Sequence, residues 1–110
     1  MPGISIHVVD VSRGIVVKGM RVALSHEGRS IADAKTSSKG IVEIEGRAKT
    51  GFYEAIFHVG EWYREQGVPL PAVPFLDVVT YRFGISDSEQ HYHLPFKCTP
   101  WGYSCFRGGA

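Results

Sequence analysis

At 110 residues with a net charge of +1, the chain has room for one domain with a two-layer core but not for two domains. No Lys/Arg block stands out, so there is no field to steer it onto nucleic acid, and no apolar run reaches the length that spans a bilayer. An apolar content of 44% beside 21% charged residues is that of an ordinary soluble globular protein.

A strand-like pattern begins at once after Met1-Pro2-Gly3, leaving no room for a signal peptide, so the chain as it stands reads as cytoplasmic. Residues 4–11 are rich in β-branched side chains and predict a first strand. Alternation puts Ile4, Ile6 and Val8 on one face and Ser5, His7 and Val9 on the other. Ser12-Arg13-Gly14 breaks the run, and Lys18-Gly19 introduces a second strand over 20–25 with Met20, Val22 and Leu24 inward. A turn at Glu27-Gly28-Arg29 leads to a short, weakly patterned strand over 30–35, a polar loop over 36–40 and a fourth strand over 41–44. Residues 51–59 carry the strongest strand signal up to that point, and 60–67 form the one good helix candidate, ended by Gly67. Three prolines between Val68 and Pro74 impose an extended loop, after which 76–83 predicts another strand and 86–89 a polar turn.

The last twenty residues, from His91-Tyr92-His93-Leu94-Pro95 to Trp101-Gly102-Tyr103-Ser104-Cys105-Phe106-Arg107-Gly108-Gly109-Ala110, read as a strand, a Pro/Gly turn and a second strand. A terminus normally frays and turns polar. This one stays aromatic and alternating, which implies that it docks against something. About eight strands, one short helix and regular turns make an all-β chain, an antiparallel β-sandwich formed by a single domain over residues 1–110. Cys98 and Cys105 flank the last hairpin turn; a reducing compartment favours two thiols, and the position leaves a disulfide open.

His7 and His93 are the leading candidates for chemistry. An imidazole titrates near neutrality, so it takes a proton from water and returns it within one cycle, which is worth about 10²–10⁴-fold when well placed. The competing reading is a pair of half-buried histidines satisfied by hydrogen bonds. His91 and His93 also form a His-x-His pair on one strand face, a spacing that suits one metal ion, with His7 as a third ligand. No cysteine or carboxylate at convincing spacing joins them, so the expectation is no metal and no cofactor.

The terminal segment is similar to the C-terminal signature of the 5-hydroxyisourate hydrolases, the transthyretin-related enzymes of urate breakdown, which carry a His-Tyr-His-Val/Ile-Pro run, a Gly-Tyr-Ser run and a final Tyr-Arg-Gly-Ser. The opening run resembles theirs as well, with His7 just ahead of Val8-Val9-Asp10 where the family places a catalytic histidine. The resemblance covers nearly the whole chain. It implies a transthyretin-like two-sheet fold with the helix between the fifth and sixth strands, and a homotetramer whose pockets lie at subunit interfaces. Within them it implies His93 as the base that activates water, His7 as the group that orients or relays the proton, and Arg107 as a positioning residue for the terminal segment or substrate.

Three departures stand out. Where the family has Asp-Gly-Arg before the fourth strand, this chain has Lys39-Gly40-Ile41, so Ile41 replaces the substrate-binding arginine. Phe106 and Gly109 replace the terminal tyrosine and serine, and Ala110 is added beyond them. Each lost polar donor at an oxyanion is worth about 2.7–4 kcal/mol, so the pocket should be more apolar and its preferred ring less polar. Lys39 either reaches in as a substitute cation or stays a solvated loop lysine. The expected function is histidine-catalysed hydrolysis of a cyclic amide or related bond in a small heterocycle, either 5-hydroxyisourate or another small ring. A biosynthetic enzyme using the same histidines for proton transfer, cyclisation or elimination is a second reading. A non-catalytic, ligand-binding relative of transthyretin is a third, opposed by the presence of both histidines.

Overall fold

The computed structural model describes residues 2–109. Along β1 (Gly3–Asp10) the alternation is obeyed: Ile4, Ile6 and Val8 are at most 1% exposed, while Ser5, His7 and Val9 are half-buried on the opposite face. The chain continues through β2 (Ile15–Val16), β3 (Arg21–His26), β4 (Arg29–Lys35), β5 (Ile41–Glu45) and β6 (Gly51–His58) into a single helix α1 (Val59–Glu65). It ends with β7 (Val78–Ile85), β8 (His91–Thr99) and β9 (Gly102–Cys105). No helix of the described residues is long and apolar enough to cross a membrane.

Two sheets form the sandwich. One runs β4-β3-β6-β7, and the other β2-β1-β8-β9, with β5 pairing the first half of β1 on the side where β2 pairs its end. All the pairings are antiparallel except one: β1 and β8 lie side by side in parallel, Gly3 opposite His91 and Asp10 opposite Cys98. Parallel neighbours need a long crossover, and here the whole second sheet and the helix lie between them in sequence. The two-residue β2 was too short for a pattern to show.

The facing surfaces close over Ile4, Ile6 and Val8 of β1, Leu94 and Phe96 of β8, Val22 and Leu24 of β3, and Ala55 and Phe57 of β6. Phe57 and Phe96 stack across the gap at 3.8 Å and 6°. Each such side chain contributes about 1.5–3 kcal/mol by leaving water. Met20 is likewise fully buried.

The helix starts one residue before the predicted 60 and is ended as expected. Gly67 N–H bonds Arg64 O and Val68 N–H bonds Tyr63 O, the paired bonds of a Schellman end. Its buried face is Trp62 and Tyr63, whose polar tips find partners: Trp62 Nε1 donates to Lys18 O at 2.8 Å and Tyr63 OH to Asp10 Oδ1 at 2.8 Å. Burial pushes the Asp10 carboxyl up, but hydrogen bonds from Ser12, Arg13 and Tyr63 outweigh it and hold its pKa below the usual value. The strand predicted over 76–83 begins two residues later, at Val78. Asp77 O instead accepts the Gly60 N–H at 2.9 Å, anchoring the helix start rather than extending the ladder.

Candidate active site

Strand register assembles the outer face of the five-stranded sheet into rows of side chains. One row is Ile41–His7–Pro95, the next Glu43–Ser5–His93, and the third Glu45–Gly3–His91. Beyond β9 the tail stays in register: Gly108 bridges to His93, donating its N–H to His93 O at 2.8 Å. The two histidines taken from opposite ends of the sequence, His7 and His93, are therefore brought onto one face and into adjacent rows by the parallel β1–β8 pairing. His91 joins them.

Ser5 ties the cluster together. Its Oγ lies 2.7 Å from His93 Nδ1 and 2.8 Å from His91 Nε2. Burial, and after it the neighbouring His7 and His91 rings, hold the His93 pKa below the ordinary imidazole value, so the ring is neutral at neutral pH. The other nitrogen of His91, Nδ1, is buried with no hydrogen-bond partner among the described residues. A neutral imidazole of this kind can accept or donate a proton according to its tautomer.

Glycines shape the surroundings at two places. A Cβ on Gly108 would come within 2.8 Å of Pro95 Cγ and 3.2 Å of His93 Cδ2, so only glycine lets the tail lie against the His93 ring. Gly40, at φ 77°, accepts the Val8 N–H on its carbonyl at 2.8 Å, and a Cβ there would meet Val8 O at 2.7 Å. That contact holds the 39–41 segment beside β1 and sets Ile41 across from His7.

The other sequence candidates have these places. Phe106, 43% exposed, follows the tail on the histidine side, with Lys97 Nζ 5.6 Å from its ring centroid. Gly109 is exposed and its Cβ position is open; Ala110 lies outside the described residues. Lys39 is exposed in the turn before β5, where its backbone N–H bonds Ser37 Oγ at 3.2 Å. Arg107 reaches to the end of β8: its Nη2 donates to Gln90 Oε1 at 2.8 Å and to His91 O at 3.2 Å. Its guanidinium stacks 3.9 Å from the centroid of the buried Tyr92. These contacts tether the tail to β8.

Among the described residues, no three His, Cys, Asp or Glu side chains are grouped to hold a metal ion. The Ser5 hydroxyl stands between the two nitrogens that the His-x-His spacing had suggested for one. Cys98 and Cys105 are free, and burial pushes both thiols up to about 11, which leaves neither as a nucleophile at neutral pH. Sequence reading passed over Ser5, and it weighed His91 only as a metal ligand. The alternation of Ser5 with His7 was a usable signal, but its partnership with β8 required the parallel register.

A profile described as the HIUase/Transthyretin family matches residues 4–108. A 5-hydroxyisourate hydrolase of Ralstonia nicotianae is 40% identical over 98% of this chain and 99% of its own. The solved 5-hydroxyisourate hydrolase of Klebsiella pneumoniae superposes with a TM-score of 0.86 at 29% identity, covering 99% of this chain and 100% of that one. A structure of (S)-allantoin synthase superposes with a TM-score of 0.87 at 29% identity, over 98% of this chain and 44% of the longer one.

Proposed function

This chain belongs to the HIUase/Transthyretin family, and from that premise we propose that it is a hydrolase opening a cyclic amide or related bond of a small heterocycle, with His7 and His93 handling the proton. The observation that supports this most is the joining of His91 and His93 through the Ser5 hydroxyl, one row along the sheet from His7, with His93 kept neutral. A neutral imidazole is the form that does acid–base work at pH 7. Water attacks the ring carbonyl, its proton passes to the imidazole pair, and the proton returns to the ring nitrogen as the C–N bond breaks. No cofactor is called for.

The substrate is 5-hydroxyisourate or a less polar ring of similar size. Ile41 lies beside His7 where the family resemblance puts an arginine, and Phe106 and Gly109 stand for a tyrosine and a serine, so a polar, oxygen-rich ring meets fewer donors. The same departures favour a second reading, an enzyme that uses these histidines for another proton transfer on a related ring. The likeness to the (S)-allantoin synthase structure is in keeping with that.

The protein works as a cytoplasmic homotetramer on a small-molecule substrate, without nucleic acid or membrane as partner. Trp101, Tyr103, Phe106, Ile15 and Val16 leave large apolar groups 41–64% exposed along this sheet and its last hairpin, a surface suited to burial by other copies. The deciding experiment is steady-state hydrolysis of 5-hydroxyisourate by the wild-type protein and by His93→Ala. Turnover that falls at least 10²-fold, with assembly retained, supports the proposal. Full activity in a folded His93→Ala protein overturns it.

A further inference from the structure

The hydroxyl of Ser5 has one hydrogen and two imidazole neighbours. With both rings neutral it donates to one and accepts an N–H from the other, so the tautomers of His91 and His93 are linked through it. Two arrangements keep the hydroxyl hydrogen within the cluster; a third, with both rings donating to Ser5, leaves that hydrogen with no acceptor among the described residues. If His93 Nδ1–H donates to Ser5 and Ser5 donates to His91 Nε2, the remaining hydrogen of His91 sits on Nδ1. That nitrogen is buried with no partner among the described residues. If His91 Nε2–H donates to Ser5 and Ser5 donates to His93 Nδ1, the buried His91 nitrogen carries only a lone pair. An orphaned buried N–H is the rarer and costlier of the two, so the second arrangement prevails.

We propose that Ser5 and His91 are positioning residues which lock His93 as its Nε2–H tautomer, making His93 a hydrogen-bond donor to the substrate carbonyl and leaving His7 to take the proton from water. This division of labour rests on the hydrolytic reading above. The chain of bonds runs His91 Nε2–H to Ser5 Oγ–H to His93 Nδ1, and His7 takes no part in it. In the reaction, the water oxygen bonds to the carbonyl carbon while a ring nitrogen of His7 accepts the water proton. The carbonyl electron pair moves onto oxygen, where the His93 N–H meets it. On collapse the ring C–N bond breaks, and His7 gives its proton to the leaving nitrogen. One water is consumed and no redox partner is involved. Such a donor is what the face otherwise lacks at this point, because Ile41 and Pro95 flank His7 and neither offers an N–H from its side chain.

Other titratable or charged groups share this face or its edge: His7 from β1, Glu43 and Glu45 from β5, His91 and Lys97 from β8, and, from the tail, Arg107, whose guanidinium donates to His91 O. Any pH profile therefore has to be assigned by substitution. The first test is made on the full-length wild-type protein labelled with ¹⁵N-histidine, at a pH where His93 is neutral. Long-range ¹H–¹⁵N correlations should show His93 Nε2 as the protonated, pyrrole-type nitrogen and Nδ1 as the pyridine type. In Ser5→Ala the two tautomers should mix and kcat should fall about 10-fold or more, as when an orienting partner of an imidazole is removed elsewhere; Ser5→Thr should restore both. A wild-type His93 protonated at Nδ1 overturns the proposal whatever the variants do. The second test follows kcat/KM against pH: the rise through the histidine range should vanish in the residual activity of His7→Ala and persist, at a lower level, in His93→Ala. The reverse pattern overturns the assigned roles. No turnover by the wild type with the Nε2–H signature intact overturns the hydrolytic reading and supports the tautomer lock.

Discussion

Ile41 stands directly opposite His7 in the antiparallel β1–β5 pairing, a placement that brings their Cβ atoms to about 5 Å. The residue paired with His7 on β5 is therefore a branched hydrocarbon rather than a cation. Restoring a cation there by Ile41→Arg, with Gly109→Ser to add a hydroxyl at the tail, should raise kcat/KM on 5-hydroxyisourate by about 10-fold or more. The ceiling is the 10²–10³ that one preorganised donor is worth. Steady-state kinetics on the single and double variants check this; a wild type as fast as the Klebsiella or Ralstonia relatives would show that the apolar neighbour costs nothing.

Among the described tail residues, Gly108 is the one whose missing side chain is demanded by contact, with Pro95 and the His93 ring both crowding the space a Cβ needs. Gly108→Ala should push the tail off β8 or tilt His93, lowering kcat/KM by about 10²-fold, as a shift of roughly 1 Å at reacting groups does. The core lies on the other side of the sheet, so the thermal midpoint should change little. Unaltered kinetics in Gly108→Ala would mean that the tail has no say in how His93 is held.

The stability of the fold should fall on acidification through the His93 ring. Its folded pKa lies below the ordinary imidazole value of 6.5. The unfolded chain therefore binds a proton first as pH drops through that value, and stability is lost from there down to the folded pKa. Urea denaturation midpoints measured at pH 7.5 and in the acid range should diverge for the wild type and diverge less for His93→Gln. Parallel curves for the two proteins would place the acid sensitivity elsewhere. Asp10 adds a separate loss at lower pH, because its carboxyl is held below the unfolded value of 3.8 by Ser12, Arg13 and Tyr63.

Much of this architecture is legible in the sequence, because its signals are local. Ile4, Ile6 and Val8 alternate, Gly67 ends the helix, and Met20, Val22 and Leu24 are buried as their spacing implies. Strand edges are less legible where an atom outside the strand decides them, as Asp77 does by bonding Gly60 instead of joining β7. The site divides in the same way. His7 and His93 stand out by motif, but the link between them depends on a parallel pairing of residues more than eighty positions apart, |i−j| being 88 for Ser5 and His93. No periodicity in either strand carries that information. Arg107 shows the converse: its position in the motif suggested a role on the terminal segment or the substrate, and only the folded chain shows the contacts it makes, with Gln90, His91 and Tyr92.

Assembly should depend on the exposed apolar groups of the last hairpin and β2. Light scattering at micromolar concentration should give a tetramer for the wild type. Placing a charge among them with Tyr103→Glu or Val16→Asp should shift the mass toward dimer or monomer, since burying an unpaired carboxylate is strongly unfavourable. A wild type that is monomeric at that concentration would remove both the assembly and any pocket shared between subunits.

The last expectation concerns the two histidines as a unit. His93→Ala should lower kcat/KM by 10² or more, about 3 kcal/mol at the transition state, and His7→Ala by a similar factor. Each acts on the same bond-making step, so the double variant should lose less than the product of the two. Both side chains lie on the outer face, away from the cluster of Ile4, Ile6, Leu94 and Phe96, so circular dichroism and light scattering should report intact fold and assembly. The wild-type rate should climb with pH through the histidine range, because the neutral imidazole is the working form. It should level off above that range, where neither thiol has yet ionised: burial pushes both cysteines up to about 11. Two folded alanine variants with undiminished rates would make both imidazoles structural, and the chemistry of this face would then have to come from another residue.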